Sequence, residues 1–288
     1  MLIKLMNLED TLTNHVPIAN AANIKDVFGI EVELEGKNIS SPSDAIRNFW
    51  GIHADGSLRK LHPGDEALEY VSRMPFNLEQ TRKSIKLLFE YLTSPGVEVY
   101  DSYRTSIHVH VNYARESFRT IYNAMVLSII LDELLVSQNG EHRVGNNFCL
   151  RSRDAMGQVV GLIKSIQSGH NFLAVQPNER YSSINFASLM KFGSIEYRSL
   201  ECTTHEGRLI HWIGTLQQIK EKSRGFKNPS EIVQQFSMLD SYDFLHSVLG
   251  PYSLKYLTVD GYEDMLRDGM RIAQDLAFCS AWNEKELK

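Results

Sequence analysis

Cysteine is scarce in this chain of 288 residues: Cys149, Cys202 and Cys279 are an odd number at wide spacing. That pattern excludes a disulfide framework and a paired-cysteine zinc site, and it predicts a reducing, cytoplasmic setting. Runs of like charge are also missing. With 30 Lys and Arg against 35 Asp and Glu, and a formal net charge of -5, nothing attracts the chain as a whole to a phosphate backbone, so no nucleic-acid partner is expected. The opening MLIKLMNLEDTLTNHV has no sustained apolar region, because Asn7, Glu9 and Asp10 interrupt it, and no signal peptide is predicted. The most apolar stretch, Ile121 to Val136, carries Asp132 and Glu133 and falls short of the roughly 20 apolar residues that a spanning helix needs. It reads as a buried helix, with no membrane partner. No P-loop, internal repeat or low-complexity linker is present.

What is present is enough apolar sequence, 43% of residues, to bury one large core. Residues 1–25 lack a clear period and read as an N-terminal extension; residues 26–288 read as a single domain whose last part, from about 205, is helical. From Phe28 to Glu35 the chain alternates, with Phe28, Ile30, Val32 and Leu34 on one face and Glu31, Glu33 and Glu35 on the other. Trp50 to Ala54 runs into the turn Asp55-Gly56-Ser57, and Ala67 to Ser72 reads as the neighbouring strand. Asn77 with Gln80 predicts a capped helix bearing Ile85, Leu88, Phe89 and Leu92. Thr105 to Asn112 places Ser106, His108, His110 and Asn112 on one face, and helices are predicted near 117–138 and 154–168. Tyr181 to Ala187 and Gly193 to Leu200 read as strands, the second with Ser194, Glu196 and Arg198 sharing a face; Thr203 with Glu206 would cap a helix to about Lys222. Such an irregular mixture argues for α+β with an antiparallel sheet.

One face of that sheet is rich in acids and histidines. Glu31 and Glu33, two apart on a strand, stand about 7 Å apart and repel by about 2 kcal/mol at an effective dielectric near 20. A lone Glu-x-Glu is most often a solvated strand face. Here Glu69, His108, His110, Glu196 and Arg198 fall on the same kind of face, and a concave set of oxygens suits magnesium or manganese. On this reading each Glu-to-Gln change relieves repulsion in the metal-free protein. His108 and His110 with a Glu would also suit a zinc hydrolase, and carboxylate excess favours the harder metal. Arg198 beside Glu196 is either a surface ion pair or a group that steadies a transferring phosphoryl.

In order, FGIEVEL (28–34), WGIHADGSL (50–58), LEYVSRMPF (68–76), SIHVHVN (106–112), RYSSINF (180–186) and FGSIEYRS (192–199) resemble the motifs of the amidoligase family, carboxylate-amine ligases of the glutamine synthetase and glutamate-cysteine ligase superfamily. The resemblance spans Phe28 to Ser199. It implies a glutamine synthetase-like catalytic fold: a curved, mainly antiparallel sheet with a polar, metal-binding face and helices packed on the other. It implies magnesium ligation by Glu31, Glu33, Glu69, His108 and Glu196, with His110 nearer the phosphates of ATP. Arg198 would hold the transferring phosphoryl group, Arg180 the phosphate or substrate carboxylate, and Asp55 and Ser57 would line the amine or acid pocket. The third motif departs from the family, with Arg73-Met74 displacing the Thr or Ser before Pro75. The implied activity is ATP- and Mg-dependent formation of an amide or isopeptide bond through an acyl phosphate, from a small-molecule or peptide carboxylate and an amine. Relatives are often encoded beside other amide-handling enzymes in phages and bacteria. A zinc metallohydrolase and a noncatalytic binding protein on the same scaffold are the rival readings.

Overall fold

The computed structural model describes residues 26–167 and 181–279. The expected extension over residues 1–25, and Arg180, lie outside the described residues.

The elements follow the periodicities. Strand β1 (Phe28–Lys37) is followed by β2 (Trp50–Ala54), β3 (Glu66–Ser72), helix α1 (Leu78–Leu92), β4 (Glu98–Val99) and β5 (Ser106–Asn112). Helices α2 (Phe118–Gln138) and α3 (Met156–Gln167) come next, then β6 (Ile184–Asn185) and β7 (Ser194–Glu201). The chain continues through α4 (Glu206–Gly225), α5 (Pro229–Met238), α6 (Ser241–Leu249) and α7 (Tyr262–Ala277).

The seven strands form one sheet in the order β2-β3-β1-β5-β7-β6, with β4 beside β1, and the pairs are all antiparallel. This is an α+β fold with an open antiparallel sheet. Gly36 is required where β4 joins, since a Cβ there would stand 1.9 Å from the Glu98 carbonyl oxygen.

Alternation decides which face meets the helices. Phe28, Ile30, Val32 and Leu34 of β1 are at most 1% exposed, and Ile107, Val109 and Val111 of β5 join them in the core. Against this face lies α2, which is long and apolar enough to cross a membrane but has 89% of its apolar window buried within the protein. Tyr197 of β7 fixes the contact: its hydroxyl bonds Ser128 Oγ at 2.7 Å, and its ring meets the Trp212 ring of α4 edge-on at 6.3 Å. Helix α7 packs so closely on α2 that a Cβ at Gly269 would come 2.2 Å from the Ile130 carbonyl oxygen. Helix α7 thereby packs on the same helix that covers the sheet.

Two expectations change, and one short strand has none. The Asn77–Gln80 capping box forms as predicted, but α4 is capped by His205, whose Nδ1 accepts from the Arg208 amide, while Thr203 Oγ1 accepts from the His205 amide. The segment Tyr181–Ala187 is strand only at Ile184–Asn185. On its upstream side Leu150 bridges Ser182 and Asp132 accepts from Ser183 Oγ; downstream, the Asn185 side chain accepts from the Ala187 amide, which turns the chain. Strand β4 has two residues, too few to show a period.

Candidate active site

Strand register assembles the polar face. Glu31 of β1 stands across from His108 of β5, and Glu33 stands across from Glu69 of β3. His110 of β5 faces Glu196 of β7. Side chains on one face of such pairs come within contact of each other.

His108 is the centre of the constellation. Its Nδ1 lies 3.1 Å from Glu31 Oε2 and 3.5 Å from Glu196 Oε1, and its Nε2 lies 3.4 Å from Glu33 Oε2 and 2.9 Å from Ser106 Oγ. Ser106 Oγ in turn donates to Glu33. His110 bonds Glu31 Oε1 at 3.2 Å through Nε2 and Ser194 Oγ at 3.0 Å through Nδ1. Arg198 Nη1 donates to Glu196 Oε1 at 2.5 Å, and Glu196 Oε2 accepts from Asn185 Nδ2 at 2.7 Å and Ser188 Oγ at 2.9 Å.

These contacts correct the expectation of simple repulsion along β1. Burial opposes ionisation of Glu31, but hydrogen bonds and charge from His108 and His110 outweigh it and hold the carboxyl well below its usual range. Glu33 is lowered too, burial being overcome by His108 and Arg198, and Glu196 is lowered because Arg198 and both histidines offset its burial. Burial and Arg198 act against a charge on His108, but Glu33 and Glu31 prevail and raise it to about 9. Repulsion appears at Glu69. Burial and the charges of Glu31 and Glu33 push its carboxyl up to about 7.

Two sets of atoms can hold a cation: one from Glu31, His110 and Glu196, the other from Glu33, Asp55 and Glu69, each set lying within 4.8 Å. The second is all oxygen. Among the described residues neither Asp55 nor Glu69 forms an ion pair, so a hard divalent cation fits where their charges crowd. Asp55 Oδ1 also accepts from the Ser57 amide at 2.7 Å, which fixes the Asp-Gly-Ser turn. The resemblance puts Asp55 and Ser57 in the substrate pocket and His110 toward the phosphates; the geometry gives Asp55 and His110 metal-ligand partners as well. His108 touches three carboxylates but belongs to neither set. Glu35, although on the same face by alternation, is 1% exposed and accepts from the Arg59 amide at 2.8 Å, a loop-anchoring role.

The family model described as "Putative amidoligase enzyme" matches residues 8–220. The chain belongs to the amidoligase family. Comparison with curated proteins finds no match. The match starts within the stretch that reads as an extension, and it takes in all the candidate site residues named above, from Glu31 to Arg198. The side chains that brace the amidoligase site carry weaker signals in the sequence. Ser106 and Ser194 are visible on the polar face by alternation, whereas Asn185 sits on the two-residue strand Ile184–Asn185 and Ser188 opens the five-residue helix Ser188–Phe192, both too short to show a period of their own.

Proposed function

We propose that this amidoligase joins a carboxylate to an amine with ATP and magnesium, or manganese. The observation that carries the reading is the pair of three-ligand sets on one sheet face, bridged by His108 and flanked by Arg198. A polar antiparallel sheet backed by helices also supports a glutamine synthetase-like catalytic fold. Bound magnesium would neutralise charge on the phosphoryl oxygens. Glu33, Asp55 and Glu69 would hold one ion, and Glu31, His110 and Glu196 a second.

The reaction proposed is the one the family resemblance implies. An oxygen of the acid's carboxylate attacks the terminal phosphorus of ATP, the bond to the bridging oxygen breaks, and ADP leaves. The amine nitrogen then attacks the acyl carbon, phosphate departs with the carbon–oxygen bonding pair, and the nitrogen loses a proton. Arg198, oriented by Glu196, would steady charge on the transferring group, because a planar guanidinium can bridge two of its oxygens. Arg180 is proposed to bind phosphate or the substrate carboxylate. The protein's contribution is positioning and charge stabilisation. A zinc hydrolase built on His108 and His110 is less well supported, since among the described residues no three-ligand set contains both.

Hydroxylamine tests the proposal, because it intercepts an acyl phosphate in place of the natural amine. Amino acids, short peptides and dicarboxylates are screened with ATP, magnesium and hydroxylamine. At least one acid is expected to give hydroxamate and ADP in equal amounts, with both lost in Glu31→Gln. AMP and pyrophosphate would refute the phosphoryl role of Arg198; hydrolysis without ATP would favour the zinc enzyme, and no turnover with any acid a noncatalytic protein.

A further inference from the structure

Among the described residues Arg104 is a guanidinium beside the site with no acid to neutralise it. It stands in the turn ahead of β5, two residues before Ser106, whose hydroxyl bonds Glu33. Its Cζ lies 5.1 Å from the centre of the Tyr103 ring and 4.9 Å from that of Phe148, with the two rings 6.5 Å apart. Nη1 donates to the Ser57 carbonyl at 2.8 Å, and the Ser57 amide donates to the Asp55 carboxylate, so the guanidinium is joined to the candidate metal set through one residue.

An arginine carries five N–H donors in a fixed fork. Among the described residues the Arg104 side chain makes that single hydrogen bond and no ion pair, and its buried Nε has no partner. Leaving a cation's donors unmatched beside the site has a cost, and the surroundings spend further bonds on keeping it there. Asn146 Nδ2 donates to the Tyr103 carbonyl at 2.6 Å, and fully buried Arg143 reaches the same oxygen at 3.4 Å. Tyr103 itself is 52% exposed, so the aromatic clamp opens to solvent. Both rings lie against the guanidinium, and the N–H donors not given to Ser57 are left for a ligand.

We propose that Arg104 binds an oxyanion at the edge of the active site, paired with the fork of its guanidinium. The oxyanion is a carboxylate of the acid substrate or a phosphate of the nucleotide. Its assignment to a reactant rests on the ligase reading; the anion binding does not, and it is measured without turnover.

Glutarate and tripolyphosphate, each titrated calorimetrically into the full chain with magnesium present, separate the two sources. Arg104→Gln is expected to weaken one of them at least tenfold, and Arg104→Lys, which keeps the charge but loses the fork, by less. Loss confined to glutarate assigns the residue to the acid, and loss confined to tripolyphosphate to the nucleotide. Arg104→Met keeps bulk against the two rings, so it guards against a variant that merely unfolds: it must bind as weakly as Gln while unfolding at the wild-type temperature. Equal affinities in the wild type and all three variants, or a wild type that binds neither probe, would overturn the proposal. So would a loss of affinity that tracks thermal stability across the variants. Hydroxylamine trapping that fails while the tenfold loss persists would remove the ligase reading and leave the anion site standing.

Discussion

Glu31 faces His108 across the β1–β5 pairing, with 3.1 Å between Oε2 and Nδ1. Glu69, by contrast, has carboxylates for neighbours and no ion-pair partner among the described residues. The two acids should therefore respond oppositely to loss of charge in metal-free buffer. Glu31→Gln leaves two buried imidazoles poorly matched and is expected to lower stability by about 1 to 3 kcal/mol. Glu69→Gln relieves repulsion and should raise the unfolding temperature slightly, while shrinking the gain produced by added magnesium. Urea unfolding in a chelator, repeated with magnesium, reads both signs. Stabilisation by Glu31→Gln would contradict the pairing with His108.

At Arg198 the test is shape at constant charge. Arg198→Lys is expected to reduce turnover by about 100-fold or more with little change in nucleotide affinity, as removal of an interaction made in the transition state does. Steady-state rates with the trapping acid, set beside calorimetric ATP binding, make the comparison. An equal loss in both would assign Arg198 to ground-state binding.

Asp132 supplies a pH dependence away from the candidate metal ligands. Burial pushes its carboxyl up to about 6, even though Ser183 Oγ and the Ser152 amide both donate to it. A group raised in the folded state favours folding fully below its unfolded value, near 4, and that advantage disappears as pH rises through about 6. Asparagine can keep both contacts, accepting from Ser152 and donating to a rotated Ser183. Asp132→Asn should match the wild type near pH 4 and exceed it at pH 7 by on the order of 2 kcal/mol. Denaturation midpoints across that range would decide; a difference independent of pH would exclude the titration.

Gly269 tests the coupling of the C-terminal helices to the sheet. Because the Ile130 carbonyl oxygen lies 2.2 Å from where a Cβ would stand, Gly269→Ala must force α7 away from α2. A loss of about 1 to 3 kcal/mol in a single unfolding transition is expected. Two separate transitions in calorimetry would mean instead that the helices beyond residue 220, outside the family match, unfold on their own.

Alternation makes much of this legible. It places Glu31, Glu33, His108, His110, Glu196 and Arg198 on the polar face without any knowledge of pairing, and puts Phe28, Ile30, Val32 and Leu34 in the core. The pattern within a strand does not say which residue stands across from which. So the neutralisation of Glu31 by His108, and the crowding of Glu69, emerge only with the β1–β5 and β1–β3 registers. Short elements are harder to read for a related reason: the two-residue strand Glu98–Val99 has no period, and over Tyr181–Ala187 the expected strand overruns the two residues Ile184–Asn185 that form it, where Asn185 holds Glu196 in place.

Because the ligand set depends on the registers of β1, β3, β5 and β7, single-residue insertions within those strands are forbidden in a way that substitutions are not. One added residue in β1 would exchange Glu31 and Glu33 for their apolar neighbours, turning carboxylates into the core and Val32 toward the site. The Tyr103–Arg104 corner and the loop bearing Phe148 lie outside those strands and can change length without disturbing the pairing, whereas the turn at Asp55-Gly56-Ser57 carries a member of the set. New substrate preferences in this architecture would then arise by lengthening or trimming those rims around a sheet whose spacing stays fixed.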